Sequence, residues 1–310
     1  MATITASAVA ELRKATGCGM MDCKKALVEA DGDFEQAKKL LREKGLAVAA
    51  KKQDRIAADG LVDIMLSDDG KTAAMIEVNS ETDFVAKNES FGQFVKGLLR
   101  TVLAKRPADV DALLALPFDG TDLTVEAELK DKTFVIGEKI SIRRFAIVEG
   151  AMSTYIHGKG STGVIVKFDT DDATAATAQF AECAKNVALQ IAAMAPAYAR
   201  KEDVPQSAID EEKNILIAQI KADPKNANKP DQIIEKMVTG KVGKFYEKNC
   251  LTEQAYVKDD KMTVGQYVAS VAKELGASIA INSFVLFEKG EGIEKREDNL
   301  GDEVAKMLGK

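Results

Sequence analysis

Leu61–Ser67 (LVDIMLS), Asp68-Asp69-Gly70 and Thr72–Asn79 (TAAMIEVN) decide the fold. The outer two stretches are rich in strand formers, and the Asp-Asp-Gly between them is a hairpin signal. Just before them, at Asp59-Gly60, the hydrophobic period changes from helical to strand-like. The same landmarks return further along the chain. Glu149-Gly150 parallels Asp59-Gly60, and Met152–Ile156 and Val164–Phe168 are strand runs around a glycine-rich turn. Thr170-Asp171 then parallels Thr82-Asp83, and Phe180, Val187 and Ile191 parallel Phe91, Leu98 and Leu99 on a long helix. For most of these landmarks the offset stays near 88 to 90 residues. Two copies of a hairpin-plus-helix unit are the simplest account, an α+β core with antiparallel sheets.

Upstream, residues 1–45 predict three short helices. The first spans about Thr5 to Thr16, with Val9 and Leu12 inward and Gly17 as its stop. The second carries Met20, Met21, Ala26 and Leu27. The third starts at Asp33 with Gln36 three residues on, and Phe34, Ala37 and Leu41 share one stripe. This bundle resembles the ubiquitin-associated type of three-helix module, a size that usually binds a partner's surface. Leu46–Ala58 predicts a helical connector. Ser90–Leu103 reads as a helix, Pro107 and Pro117 bracket an acidic-apolar segment, and Ile140–Glu149 reads as a strand. In the second unit, Ile209–Ile220 and Ile233–Phe245 predict an inserted antiparallel helical hairpin joined by the loop Asp223-Pro224 to Lys229-Pro230. Thr263–Leu275 predicts a helix, Ser278–Glu288 a closing strand and Asn299–Leu308 an amphipathic tail helix. The expected divisions are 1–55, 56–148, 149–290 with the hairpin at about 200–250, and 291–310.

Composition narrows the chemistry. At 310 residues the chain suits roughly two domains, and its net charge of −6 provides no enveloping basic field for nucleic acid. His157 is the one histidine, and the cysteines stand at 18, 23, 183 and 250. A zinc site needs paired Cys or His ligands, and a Ser–His or Cys–His nucleophile would have to use His157. Neither pattern is present, so no metal, no cofactor and no catalytic residues are expected. The start lacks a basic region followed by an apolar one, and no apolar run is long enough for a membrane span, so the expectation is a cytoplasmic protein with free thiols.

Four features invite a functional reading. His157-Gly158-Lys159-Gly160-Ser161-Thr162-Gly163 has the glycines of a phosphate loop but not its spacing, and a strand follows it. A flexible hairpin turn is the better account, with His157 either a surface imidazole or a partner contact. Thr82-Asp83-Phe84-Val85 leaves a strand just before a helix; chemistry alone favours Asp83 as a cap and Phe84 in the core. Met20 and Met21 are adjacent and cannot both face one small core, so at least one is exposed, where methionine suits an interface. The pairs Asp171-Asp172 and Asp259-Asp260 read as solvated loop residues.

Several blocks carry a family resemblance. Thr16-Gly17-Cys18-Gly19-Met20-Met21-Asp22-Cys23-Lys24-Lys25-Ala26-Leu27 resembles the amino-terminal signature of the bacterial elongation factor Ts family, and Asn79-Ser80-Glu81-Thr82-Asp83-Phe84-Val85-Ala86 its second signature. Ile140–Arg144, Tyr155-Ile156-His157-Gly158, Glu235-Lys236-Met237-Val238, Thr263-Val264-Gly265-Gln266 and Gly290-Glu291-Gly292-Ile293-Glu294-Lys295 match further blocks in order. Ser161-Thr162 departs from the family, which often has a basic residue followed by an aliphatic one there.

The resemblance implies guanine-nucleotide exchange on the GTPase elongation factor Tu, without an active site. It implies that Thr82, Asp83, Phe84 and Val85 form a wedge, with Asp83 and Phe84 entering between helices of the GTPase near its magnesium. It further implies that Arg13, Met20, Met21 and Lys24 grip the same domain, that His157 presses beside the phosphate-binding region, and that Val238 and Met307 make outlying contacts. Pairing of two copies through the helical hairpin stays open, as does the docking place of the tail helix. An enzyme using the glycine-rich turn for a phosphorylated ligand and an RNA-binding or ubiquitin-like adaptor are the competing classes. The acidic balance and the lack of aromatic–basic interleaving weigh against RNA.

Overall fold

The computed structural model describes residues 4–223 and 229–294. The chain opens with α1 (Ala6–Thr16), α2 (Met20–Glu29) and α3 (Phe34–Lys52). The Thr5 hydroxyl accepts the Ala8 N–H and the Asp33 carboxylate accepts the Gln36 N–H, each satisfying a donor that a helix start leaves unpaired. Val9, Leu12, Cys18, Cys23, Ala26, Leu27, Ala37 and Leu41 close one small core. Of the helical connector expected over Leu46–Ala58, residues 53–58 lie outside any helix and residues 46–52 are the end of α3, which runs unbroken to Lys52. No proline interrupts it.

Next come β1 (Asp59–Leu66), β2 (Thr72–Ser80), α4 (Asp83–Ala86), α5 (Glu89–Lys105), α6 (Val110–Ala115), α7 (Val125–Ile136) and β3 (Ser141–Glu149). β4 (Ala151–His157), β5 (Thr162–Asp169), α8 (Asp172–Ala175) and α9 (Ala178–Met194) follow. The hairpin helices are α10 (Gln206–Ala222) and α11 (Asp231–Asn249). A small ribbon, β6 (Ala255–Tyr256) and β7 (Asp259–Thr263), leads into α12 (Val264–Leu275) and β8 (Ala280–Glu288). Asp259-Asp260 therefore begins a strand rather than sitting in a loop. α7 was not expected; its Phe134 packs onto the amino-terminal core.

The architecture is α+β. Two three-stranded antiparallel sheets have the orders β1-β2-β3 and β4-β5-β8. Each carries its register shift at a matching place, Glu77/Val78 on β2 against β3 and Lys167/Phe168 on β5 against β8. Strand alternation sets the layers. On β2, Ala74, Ile76 and Val78 join Phe91, Val95, Leu98 and Leu99 of α5, while Ala73 and Met75 face the other way. On β5, Val164, Val166 and Phe168 join Phe180, Val187 and Ile191 of α9, while Ile165 turns toward Val62 and Met75. The sheets thus pack face to face between two helical layers. β2 is buried from end to end because it is covered on both faces.

The β4–β5 turn, expected to be flexible, is stitched down. Its Gly160 carbonyl accepts the Val62 N–H of β1 at 2.9 Å, and its Ser161 carbonyl accepts the Lys289 N–H at 2.8 Å. Gly160 has φ +96°, and a side chain there would strike Leu61 and the Val62 carbonyl. α10 and α11 close on Leu216, Ile220, Ile234, Val238 and Val242. The expected tail helix and Met307 lie outside the described residues.

Candidate functional site

The end of β2 carries the chain into α4. Thr82 is the residue before that helix, in extended conformation (φ −131°, ψ 157°), and Asp83 is its first residue. Asp83 therefore does not cap. Its carboxylate pairs with Lys87 one turn on, and that ammonium holds it below the ordinary carboxylate range. Val85 is buried against the α5 layer. Phe84 is not in the core as chemistry alone suggested: it is 80% exposed. One turn of helix has a single inward face, and Val85 occupies it. Phe84 is left in water, with Lys87 above its ring at 6.0 Å.

His157 lies at the end of β4, exposed, with its Nδ1 3.0 Å from the Tyr155 hydroxyl. Lys289 relates this turn to α4. Its N–H binds Ser161, its ammonium pairs with Asp59 at 2.5 Å, and its charge also acts on Asp83. Asp59 in turn pairs in register with Ser80, just before α4.

What fixes the two sheets here is Glu77, which the sequence reading did not single out. Its carboxylate is fully buried and points between the sheets. Oε1 accepts from the Asn79 amide (3.1 Å), Arg143 (3.0 Å) and the Gly290 N–H (2.8 Å); Oε2 accepts from Arg144 (2.7 Å). Burial alone would raise this carboxyl, but the Gly290 N–H, the Asn79 amide and the two guanidinium groups outweigh it and hold it below the ordinary range. Arg144 also stacks over Phe287 at 4.2 Å and pairs with Glu291. A strand glutamate with arginines on the facing strand is readable from sequence only once the register is known.

The amino-terminal residues form a separate surface. Arg13 lies in the last turn of α1, and Met20, Met21 and Lys24 lie on the first turns of α2; all four are exposed, Met20 at 55% and Met21 at 61%. Val238 differs from the other expected site residues. It is buried in the seam between α10 and α11.

The chemistry available is sparse. Among the described residues no group of three or more His, Cys, Asp or Glu could hold a metal ion, and no helix is long and apolar enough to cross a membrane. The cysteines are free and buried. Burial raises the Cys18 thiol and pushes Cys183 and Cys250 up to about 11, so thiolate is scarce there at neutral pH.

Fold and site together define an α+β protein that displays a large exposed aromatic side chain, Phe84, on a single helical turn. The family model described as "Elongation factor TS" matches residues 81–291. The chain is 45% identical over 307 residues to elongation factor Ts of Syntrophotalea carbinolica, covering 98% of this chain and 99% of that protein. It is 48% identical over 310 residues to elongation factor Ts of Clostridioides difficile and 46% identical to that of Clostridium botulinum strain Eklund 17B, covering 99% of this chain and 100% of each. The chain belongs to the elongation factor Ts family, a family of translation elongation factors.

Proposed function

We propose that this chain is a guanine-nucleotide exchange factor that binds elongation factor Tu carrying GDP and promotes GDP release so that GTP can rebind. Family membership supports the role. The observation that carries the mode of action is Phe84, an aromatic ring left 80% exposed on a single helical turn. Covering such a ring is worth roughly 1.5–3 kcal/mol to whichever partner conformation can accept it. Asp83 and Phe84 act as a wedge that disturbs the magnesium and phosphate site, Thr82 and Val85 hold the wedge from below, and His157 presses nearby.

The physics is differential binding. A partner weakens the nucleotide only by preferring the conformation that binds it poorly, and linkage makes the effect reciprocal. A shift of about 10⁴ needs about 5.5 kcal/mol of preference, more than one phenylalanine supplies. A wide grip must therefore hold the GTPase while the wedge deforms it. Residues 1–55 form that grip, a module of the ubiquitin-associated kind acting through Arg13, Met20, Met21 and Lys24. Residues 56–148 and 149–290 are copies of one duplicated unit. The hairpin at about 200–250, with Val238 in its seam, and the tail at 291–310 with Met307 add outlying contacts. Two copies of the chain would pair through the hairpin's outer face, which sedimentation mass would reveal. No catalysis, cofactor, membrane or nucleic acid enters this account, and the work is done in the cytoplasm.

The test is release of fluorescent GDP from elongation factor Tu, with and without this chain, beside a titration of complex formation against GDP and magnesium. Release accelerated by the chain, and a complex weakened by nucleotide, is the expected pair of results. Release no faster with the chain overturns the reading.

A further inference from the structure

We propose that Glu138 is a positioning residue that clamps the base of the Phe84 tip, so that pressure on the tip is passed to the partner and not absorbed by the helix. The inference rests on the exchange reading above, whose wedge it explains. α4 is four residues long, and a single turn has little stability of its own, because nucleation fixes several dihedrals for one hydrogen bond. Thr82 holds the cap position, yet its side chain makes no bond back into the helix. Instead its hydroxyl donates to Glu138 Oε1 at 2.6 Å and its N–H donates to Glu138 Oε2 at 3.0 Å. One carboxylate, on the segment leaving α7, thus takes both donors of the residue that begins the tip. Two bonds from one planar group fix rotation as well as position.

The preceding residue is held from the same segment. Glu81 accepts the Lys139 N–H at 2.6 Å, and both its oxygens lie 3.2 Å from an Arg55 nitrogen. The Lys139 ammonium closes the ring on the Arg55 carbonyl at 2.8 Å. Arg55 follows the end of α3, so the clamp joins the tip to the exit of the amino-terminal helices as well as to α7.

The matching place beside α8 is built otherwise. There Asp171 caps its own helix, accepting the Thr174 N–H at 2.8 Å and the Thr174 hydroxyl at 2.7 Å. The preceding Thr170 hydroxyl is buried with no hydrogen-bond partner among the described residues. The helix with alanine at its second position is capped by its own Asp171 and, among the described residues, is bonded from outside only by an exposed ion pair between Asp172 and Lys71; the helix with phenylalanine there takes its N-terminal bonds from outside.

The experiment is stopped-flow release of fluorescent GDP from elongation factor Tu over a range of full-length chain concentrations. It compares Glu138→Gln, Thr82→Val, Thr82→Ser and Phe84→Ala, each checked by circular dichroism and thermal melting. Glu138→Gln and Thr82→Val should lower the maximal release rate about tenfold, the factor that 1.4 kcal/mol corresponds to. The half-saturating concentration should move less than about twofold by the same relation. Thr82→Ser, which keeps the hydroxyl, should recover most of the rate that Thr82→Val loses. A merely structural role would lower melting temperature without this split. Unchanged maximal rates in Glu138→Gln and Thr82→Val, or a change confined to half-saturation, overturn the proposal while Phe84→Ala still slows release. If Phe84→Ala also releases at the full rate, the wedge reading itself falls. Should Glu138→Gln not fold, Thr82→Val against Thr82→Ser decides alone.

Discussion

α4 and α8 stand at corresponding places, each a four-residue helix between the second strand of a sheet and the long helix that covers it. Their inward residues, Val85 and Thr174, are both buried. The long helices that follow even end alike, with Arg106 and Ala195 both in the left-handed region. The residues at the second position part ways. Phe84 stands in water where its counterpart is Ala173, a small side chain that exposes little apolar surface. Sheet and helix packing require a short turn here, since both units have one. They do not require a phenylalanine. What one unit does without, the other displays, and a large exposed apolar group is informative when the fold does not demand it.

The sharpest way to break this comparison is Phe84→Ala, which makes the first tip like the second. Removing a ring worth roughly 1.5–3 kcal/mol should slow stimulated GDP release about 10- to 100-fold. Complex formation should weaken far less, because the amino-terminal grip is untouched. Stability should stay within about 0.5 kcal/mol, since the ring buries little in this chain. Stopped-flow release beside a melting curve reads both quantities, and an intact release rate would erase the distinction between the tips.

Next in size is the joint that keeps the two units in register. Glu77→Ala strips a buried carboxylate from Arg143, Arg144, Asn79 and Gly290. Breaking a fully buried pair costs about 3–5 kcal/mol. Both arginines reach partly into solvent, so about 2–3 kcal/mol is expected, seen in urea unfolding. The pH dependence follows from the carboxyl's depressed pKa. A depressed acid contributes stability above its unfolded pKa of about 4.3 and loses it as pH falls through the lower folded value. The unaltered chain should therefore lose stability on acidification below about pH 4–5, and Glu77→Gln should flatten that limb. A limb of unchanged slope would show that Glu77 is not the joint.

Sequence pattern revealed much of the fold. Strand runs around Asp68-Asp69-Gly70 and the return of matching landmarks gave strands where β1, β2, β4 and β5 lie. Capping chemistry at Asp33 marked a helix start because a cap is a local event. α7 escaped although Thr124 caps its start, accepting the Ala127 N–H, and Gly137 stops it in the left-handed region; its Phe134 packs against a core formed in another part of the chain. The site was legible as a list of residues through family resemblance, but not as geometry. Chemistry alone placed Phe84 inside, because periodicity counts apolar residues and cannot tell which one a single turn will bury. Glu138 and Glu77 were invisible for a related reason. Thr82 lies 56 residues from Glu138, and the arginines lie 66 and 67 residues from Glu77, and such pairing exists only after the sheets have formed.

A smaller effect tests how each tip is held. Asp171→Ala removes the self-cap of α8 and should lower the melting temperature by about 2–4 °C. Stimulated GDP release should remain as it was, because α8 has no part in the wedge. A release rate that fell with Asp171→Ala would mean that both tips act on the GTPase and that their difference in side chain is incidental.

The smallest effect is expected from the reciprocal graft, Ala173→Phe. Ala173 is exposed, so a ring there meets solvent and should alter stability by no more than about 0.5 kcal/mol. It should also leave release unchanged, and the reason is structural. A phenylalanine on α8 would have the protrusion of Phe84 without its mounting, since Asp171 caps its helix locally and, among the described residues, no carboxylate from a neighbouring segment grips the helix start, the one outside hold being the exposed pair of Asp172 with Lys71. Exposure alone does not make a wedge; the ring must also face the partner's deformable part and resist being pushed back. The decisive form is the double variant Phe84→Ala with Ala173→Phe, which keeps the number of exposed rings constant and changes only which tip carries one. Release as slow as with Phe84→Ala alone supports a wedge defined by place and mounting. Release restored by the relocated ring would mean that any exposed aromatic on this surface suffices, and that α4 has no special standing.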